Sequence, residues 1–144
     1  MSNKLRDLLK KHEGCPLMPN GNAKLYLDSV SKWTIGWGWN LDDNGMPLSI
    51  AEALLDLAID SARTELFKSY PVFRTLDDVR QDALVSMVFN MGIRSFSGFT
   101  NTIRDIEQGD YVRAVERLKQ SKWASQVGKR ADDIYVMLLE GRYP

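Results

Sequence analysis

A chain of 144 residues with 44% hydrophobic and 26% charged side chains has an ordinary globular composition, and its length suffices to bury about two thirds of the unfolded surface. Nineteen Lys and Arg offset nineteen Asp and Glu, so no whole-molecule field draws the chain to nucleic acid or to an anionic membrane. One cysteine, Cys15, and one histidine, His12, exclude an internal disulfide framework and a structural zinc site. No metal or cofactor is expected, and no apolar run approaches the roughly 18 residues of a membrane span.

The first residues, MSNKLRDLLKK, are charged and amphipathic, unlike a secretory signal. Leu5, Leu8 and Leu9 recur at helical spacing and Gly14 stands where that helix stops. Cys15 to Asn22 holds two prolines and a glycine and reads as a loop. Lys24 to Leu27 and Trp33 to Trp37 are short runs rich in β-branched and aromatic residues, and the polar turn from Asp28 to Lys32 between them predicts a hairpin. Asn40 to Pro47 is turn chemistry again. Ser49 and Glu52 have the spacing of a capping box. Ile50, Leu54, Ala58, Ala62 and Leu66 then line one face of a long helix that ends near Tyr70-Pro71. Leu76 to Met91 is apolar on most faces and predicts the central buried helix. Gly92, Gly98, Gly109 and Gly128 punctuate shorter helices, and a last one ends at Gly141.

Strands clustered near one end, with helices elsewhere, predict an α+β fold. The expected organisation is a single domain of residues 1–144. It has a sheet lobe at about 14–48, a connecting helix at about 49–69, and a helical lobe at about 70–144 with residues 1–13 packed on it. Such lobes would leave a cleft, where ligands usually bind.

Elimination narrows the chemistry. There is no phosphate loop, no dinucleotide fingerprint, no HExxH and no CxxC, and a serine triad would have to use His12 without a nucleophile elbow. Asp42-Asp43-Asn44-Gly45 lacks calcium-loop spacing and reads as a surface turn. Carboxylates remain. Glu13 sits in the last turn of the first helix, where the helix dipole disfavours negative charge, a setting that suits a general acid and equally describes a solvated helix end. Asp28 opens the hairpin turn, where a backbone-bonded turn aspartate is the plain alternative to a catalytic one. Thr34, six residues on, is explained as well by strand propensity. A hairpin folded over the end of the first helix would gather all three, and a pair of carboxylates is the minimal equipment for hydrolysing a glycoside.

At these residues the chain resembles the phage-type lysozymes of glycoside hydrolase family 24. The matching segments run in order along nearly the whole chain: LLKKHEG, LYLDSVSKWTIGWG, VRQDALVSMVFNMG, SGFTNTIR and LKQSKWASQVGKRADDI. The resemblance implies a lysozyme-like fold of sheet lobe and helical lobe. It also implies hydrolysis of the β-1,4 bond between N-acetylmuramic acid and N-acetylglucosamine in peptidoglycan, with inversion. Glu13 would be the acid, and Asp28 and Thr34 would hold and activate water. Phe89, Asn90 and Lys122 match substrate-binding positions, and Arg130 matches a supporting arginine that would pair with Glu13. Two departures stand out. Trp39-Asn40 follows Gly38 where the family usually has histidine, and CPLMPNGN widens the Glu13–Asp28 spacing to fifteen.

Zero net charge hides a segregation: residues 25–60 carry −5 and residues 113–130 carry +5, which either steers a polyanionic wall polymer or reflects solvated faces. Of four tryptophans, Trp33, Trp37 and Trp39 lie in the hairpin and Trp123 does not; aromatic faces suit sugar rings and also suit a core. The expected partner is the peptidoglycan glycan strand, with no nucleic acid and no stable membrane association, and the expected state is a monomer. An endolysin of this kind is made in the host cytoplasm without a signal peptide and reaches the wall through a holin-type lesion. Competing readings are a non-catalytic wall-binding module, a chitin-type hydrolase and a lytic transglycosylase.

Overall fold

The computed structural model describes residues 3–144. Its architecture is α+β, with a small antiparallel sheet towards the N-terminal side and helices elsewhere. The chain divides into two compact units, the first running through Glu52 and the second comprising Ala53–Pro144.

The first unit opens with α1 (Asn3–Glu13). Its stop is the expected one: Gly14 takes φ 67° and its N–H bonds the Lys10 carbonyl at 3.0 Å, a left-handed cap that a side chain would strain. The inserted segment is more ordered than a plain loop. Met18 N–H bonds Asn22 O and Lys24 N–H bonds Pro16 O, each at 2.8 Å, and Leu17 bridges Ala23. Asn20-Gly21 supplies the turn, so the insertion is a miniature hairpin.

The sheet order is β1 (Tyr26–Leu27), β2 (Trp33–Ile35), β3 (Trp39–Asn40), all antiparallel, with Thr34 opposite both Tyr26 and Asn40. The third strand exceeds the expected hairpin. A two-residue strand leaves no alternation to read. The turn chemistry after Asn40 also holds a short helix, α2 (Leu41–Asn44), which the Asn40 side chain caps by accepting the Asp43 N–H at 3.0 Å.

Helix α3 (Leu48–Ser69) begins one residue before the expected cap. Pro47 O accepts the N–H groups of Ile50 and Ala51, so Ser49 lies within the helix instead of capping it. Of the expected apolar face only Ala62 and Leu66 are buried, while Ile50, Leu54 and Ala58 are exposed. Helical periodicity shows that a stripe exists, but burial needs neighbours, and the core reaches α3 only from Ile59 onward.

In the second unit a 3₁₀ turn (Pro71–Thr75) leads to α4 (Asp78–Ser97), the central buried helix. Gly92 breaks it with φ 82° and ψ 156°, which places the interruption where the sequence puts it, after Met91. Then follow α5 (Thr100–Glu107), α6 (Tyr111–Lys119), α7 (Lys122–Val127) and α8 (Lys129–Glu140). Asp77, Asp110 and Ser121 cap α4, α6 and α7. The core is built on Leu66, Phe73, Leu84, Phe96, Ile106, Leu118 and Leu138, each contributing about 1.5–3 kcal/mol by leaving water. Arg80 ties α4 to the end of α8, donating Nε to Leu138 O at 2.7 Å and Nη2 to Leu139 O at 3.2 Å. Among the described residues no helix is long and apolar enough to cross a membrane.

Candidate active site

Among the described residues of the first unit, Thr34 alone is buried, at 3% exposure. The middle strand puts it there: β2 has neighbours on both sides, and alternation sends Thr34 to the face opposite Trp33 and Ile35. A buried hydroxyl needs a partner, and Thr34 Oγ1 donates to Lys32 O at 2.9 Å. The same carbonyl accepts the Asp28 N–H at 2.9 Å. Thr34 and Asp28 are thereby fixed to one backbone oxygen.

Asp28 is half-buried and organises the β1–β2 turn. Its Oδ1 accepts from the N–H groups of Val30 and Lys32, both at 2.9 Å. Ser31 adopts φ 61° and donates its N–H to Asp28 O at 3.1 Å, closing the turn. The turn-aspartate role foreseen as the plain alternative is therefore present. It occupies one carboxylate oxygen, and Oδ2 accepts no hydrogen bond from the described residues. The turn and an acceptor role coexist on one side chain.

Glu13 is exposed at the end of α1 and makes no hydrogen bond or ion pair with the described residues. Its carboxylate lies against the reversal between β2 and β3. A Cβ placed on Gly38 would fall 3.0 Å from Glu13 Oε2 and 3.5 Å from its Cδ. Gly38 also holds φ 85°. Glycine is thus required twice at this position, for its backbone and for the room it leaves. The sheet of the first unit ties Thr34 on β2 to Asp28 at the β1–β2 turn through the Lys32 carbonyl and meets Glu13 at the next reversal.

Three residues with no expected role support this arrangement. Asp42, on α2, accepts the Trp33 N–H through Oδ2 at 2.7 Å, and Asp43 pairs with Lys32 Nζ at 3.0 Å. The hydrogen bond from Lys32 holds Asp43 below its ordinary 3.8, and the same bond raises Lys32 above 10.5. The sequence shows Asp42 and Asp43 only as turn residues, because partners nine and eleven positions away appear once the sheet has formed. The three hairpin tryptophans are exposed, Trp33 at 46%, Trp37 at 50% and Trp39 at 44%. Trp37 lies under Lys10 Nζ, 4.5 Å from the ring centre, and Trp39 Nε1 donates to Gly45 O at 2.7 Å. Core packing accounts for one of the four tryptophans, and that one lies outside the hairpin. Only Trp123 is buried.

The other expected site residues belong to the second unit. Asn90 is exposed at the end of the unbroken part of α4, and its Oδ1 accepts from Trp123 Nε1 at 3.4 Å. Lys122 is the first residue of α7 and exposed, and Ser121 caps that helix. Phe89 and Arg130 line a cavity of about 530 Å³ together with Leu55, Ile59, Arg63 and Met137. On its wall Asp82 binds Arg63 at 3.2 Å and accepts the Tyr143 hydroxyl, a bond that raises the Tyr143 pKa above 10.0. Among the described residues no group of three or more His, Cys, Asp or Glu side chains has the arrangement of a metal site.

A family model described as phage lysozyme matches residues 10–135. The chain is 25% identical to the "Probable T4-type lysozyme 1" of Dictyostelium discoideum, an alignment covering 98% of this chain and 96% of that protein. It is 31% identical to an "Endolysin" of Acyrthosiphon pisum secondary endosymbiont phage 1, covering 85% of this chain and 80% of that one.

Proposed function

The chain belongs to the phage lysozyme family and is a lysozyme, a glycoside hydrolase of peptidoglycan, and from that premise we propose that it is an endolysin-type muramidase whose acid is Glu13 and whose water-activating pair is Asp28 and Thr34. The bond cut is the β-1,4 link between N-acetylmuramic acid and N-acetylglucosamine. Glu13 gives its proton to the glycosidic oxygen as the bond to the anomeric carbon breaks. Water attacks that carbon from the opposite face and passes its proton to Asp28, so the configuration inverts.

The observation that carries the reading is the shared Lys32 carbonyl. Because Thr34 Oγ1 spends its only proton on that carbonyl, the hydroxyl meets a water as an acceptor. Asp28 Oδ2 is a second acceptor. A water donating one hydrogen to each keeps a lone pair for attack, which is the task of a water-positioning pair. In the same reading Phe89, Asn90 and Lys122 contact the glycan and Arg130 supplies a supporting charge. The enzyme works as a monomer, is made in the host cytoplasm, reaches the wall through a holin-type lesion and lyses the host.

Mass spectrometry of fragments released from purified peptidoglycan tests the chemistry. Reducing muramic acid ends are expected, and Glu13→Gln, at an exposed position without hydrogen bonds to the described residues, lowers their release about 10²–10⁴-fold while the far-ultraviolet spectrum is unchanged. Asp28→Ala loses activity as well. Anhydro ends, or full activity in Asp28→Ala, would replace hydrolysis with transglycosylation; undiminished release by Glu13→Gln would remove the acid assignment.

A further inference from the structure

Lys32 and Trp33 share one peptide group, and everything that holds Thr34 and Asp28 passes through it. Among the described residues no peptide bond is cis, so the C=O and N–H of this group point opposite ways in one plane. On one side Lys32 O accepts the Thr34 hydroxyl and the Asp28 N–H, both at 2.9 Å. On the other side β3 has already ended: its last residue, Asn40, stands opposite Thr34, and no residue of β3 stands opposite Trp33. The ladder has no backbone acceptor there. The side chain of Asp42 takes its place, with Oδ2 accepting the Trp33 N–H at 2.7 Å.

A carboxylate on an N–H makes a bond of the short, charge-assisted class. It acts on the carbonyl at the far edge of the same peptide in two ways. Bonded at both edges, the plane cannot turn about its flanking single bonds. The negative charge at the N–H also pushes electron density through the amide towards the oxygen, strengthening each bond the carbonyl accepts by about 10–30%. The Thr34 proton therefore stays on Lys32 O, and the lone pairs of the hydroxyl stay free. Without Asp42 a water can meet the Trp33 N–H, so little stability is lost, but a water fixes no plane. Asp43 holds the same lysine differently, by its side-chain Nζ at 3.0 Å, and leaves the peptide group alone. Two adjacent exposed carboxylates on α2 thus form a matched pair, of which one touches the peptide.

We propose that Asp42 is a positioning residue for the hydrolysis: acting through the Lys32–Trp33 peptide, it keeps Thr34 Oγ1 turned as an acceptor towards the water that Asp28 activates. The inference rests on the reading of Asp28 and Thr34 as the water-holding pair. In this role Asp42 touches neither glycan nor water. Its loss lowers the rate of the chemical step and leaves glycan binding as it is, so kcat moves and KM does not.

Kinetics on purified peptidoglycan and nuclear magnetic resonance of the full chain test it together, with Asp42→Ala, Asp42→Asn, Asp43→Ala and Asp28→Ala. In Asp42→Ala kcat falls about tenfold at unchanged KM, the Trp33 amide proton and the Lys32 carbonyl carbon both move upfield, and the far-ultraviolet spectrum is that of the parent. Asp42→Asn keeps an oxygen acceptor without the charge, so it recovers kcat to within about threefold of the parent and shows smaller shifts of the same two nuclei. Asp43→Ala lowers the melting temperature but keeps kcat within about twofold and leaves the Lys32 carbonyl carbon in place. Full activity in Asp42→Ala beside an inactive Asp28→Ala would overturn the inference. So would a loss carried by KM, equal losses in Asp42→Ala and Asp43→Ala, or an unmoved Lys32 carbonyl carbon. Full activity in Asp28→Ala is the separate failure of the water-pair reading, and the two spectral shifts distinguish it from failure of the Asp42 contact.

Discussion

Replacing Gly38 with alanine separates backbone strain from active-site geometry, because Gly36 in the same reversal provides a matched control. Gly36 has φ 65° and Gly38 has φ 85°, so both variants force an L side chain into the left-handed region. That costs about 1–2 kcal/mol, offset in part by about 0.4–1 kcal/mol from the stiffer unfolded chain, so each should lose roughly 1 kcal/mol, a fall in Tm of about 3 °C. The surroundings differ. A Cβ on Gly36 has no atom within 4 Å, whereas one on Gly38 sits 3.0 Å from Glu13 Oε2. Ordinary contact begins near 3.4 Å, so the carboxylate must retreat by about 0.4 Å. If 1 Å of misplacement costs about 10²-fold, that retreat costs about sixfold in kcat, and more if the side chain swings away altogether. Turbidity clearing of peptidoglycan suspensions gives kcat, and thermal melts give the strain common to both. Equal activities in the two variants, or a Gly38→Ala enzyme as active as the parent, would refute the claim that Glu13 is held against this turn.

Two further outcomes are expected. Asp43 is depressed by the hydrogen bond from Lys32, so its contribution to stability is present above pH 3.8 and disappears as pH falls through its lower folded value. Lys32, raised by the same bond, contributes below pH 10.5 and loses that contribution as pH rises through its higher folded value. Carbon-detected titration should return Asp43 towards 3.8 in Lys32→Met, and an unchanged midpoint would show that the pair does not form in solution. Leu84→Ala, at a position with 0% exposure, should cost about 2–5 kcal/mol in urea unfolding, with lost activity restored by lowering the temperature; a cost below about 1 kcal/mol would mean that α4 is not the centre of the core.

Much of the fold is legible in the sequence because its signals are local. Gly14, Gly109, Gly128 and Gly141 end or separate helices where left-handed backbone is needed. The break at Gly92 follows from the same chemistry. The expected capping box at Ser49 fails because a proline carbonyl at Pro47 starts the helix earlier. The third strand and α2 escape notice for a different reason: two and four residues are too few to establish a period.

For the candidate site, residue types and spacing offered Glu13, Asp28 and Thr34, each with a plain alternative, and the resemblance to phage-type lysozymes supplied their expected roles; the turn chemistry of Asp28 to Lys32 was readable as such. Tertiary structure alone decided what those side chains touch. Spacing does not reveal that Thr34 and Asp28 share the Lys32 carbonyl, that Glu13 rests against Gly38, or that Asp42 reaches back to Trp33. Nor does it show that Arg117 pairs with Asp105, twelve residues earlier. Helix propensity and turn preference act within a few residues and are written in the chain order. Hydrogen-bond partners across a sheet or between helices are selected by packing, which brings distant residues together only after the local elements exist.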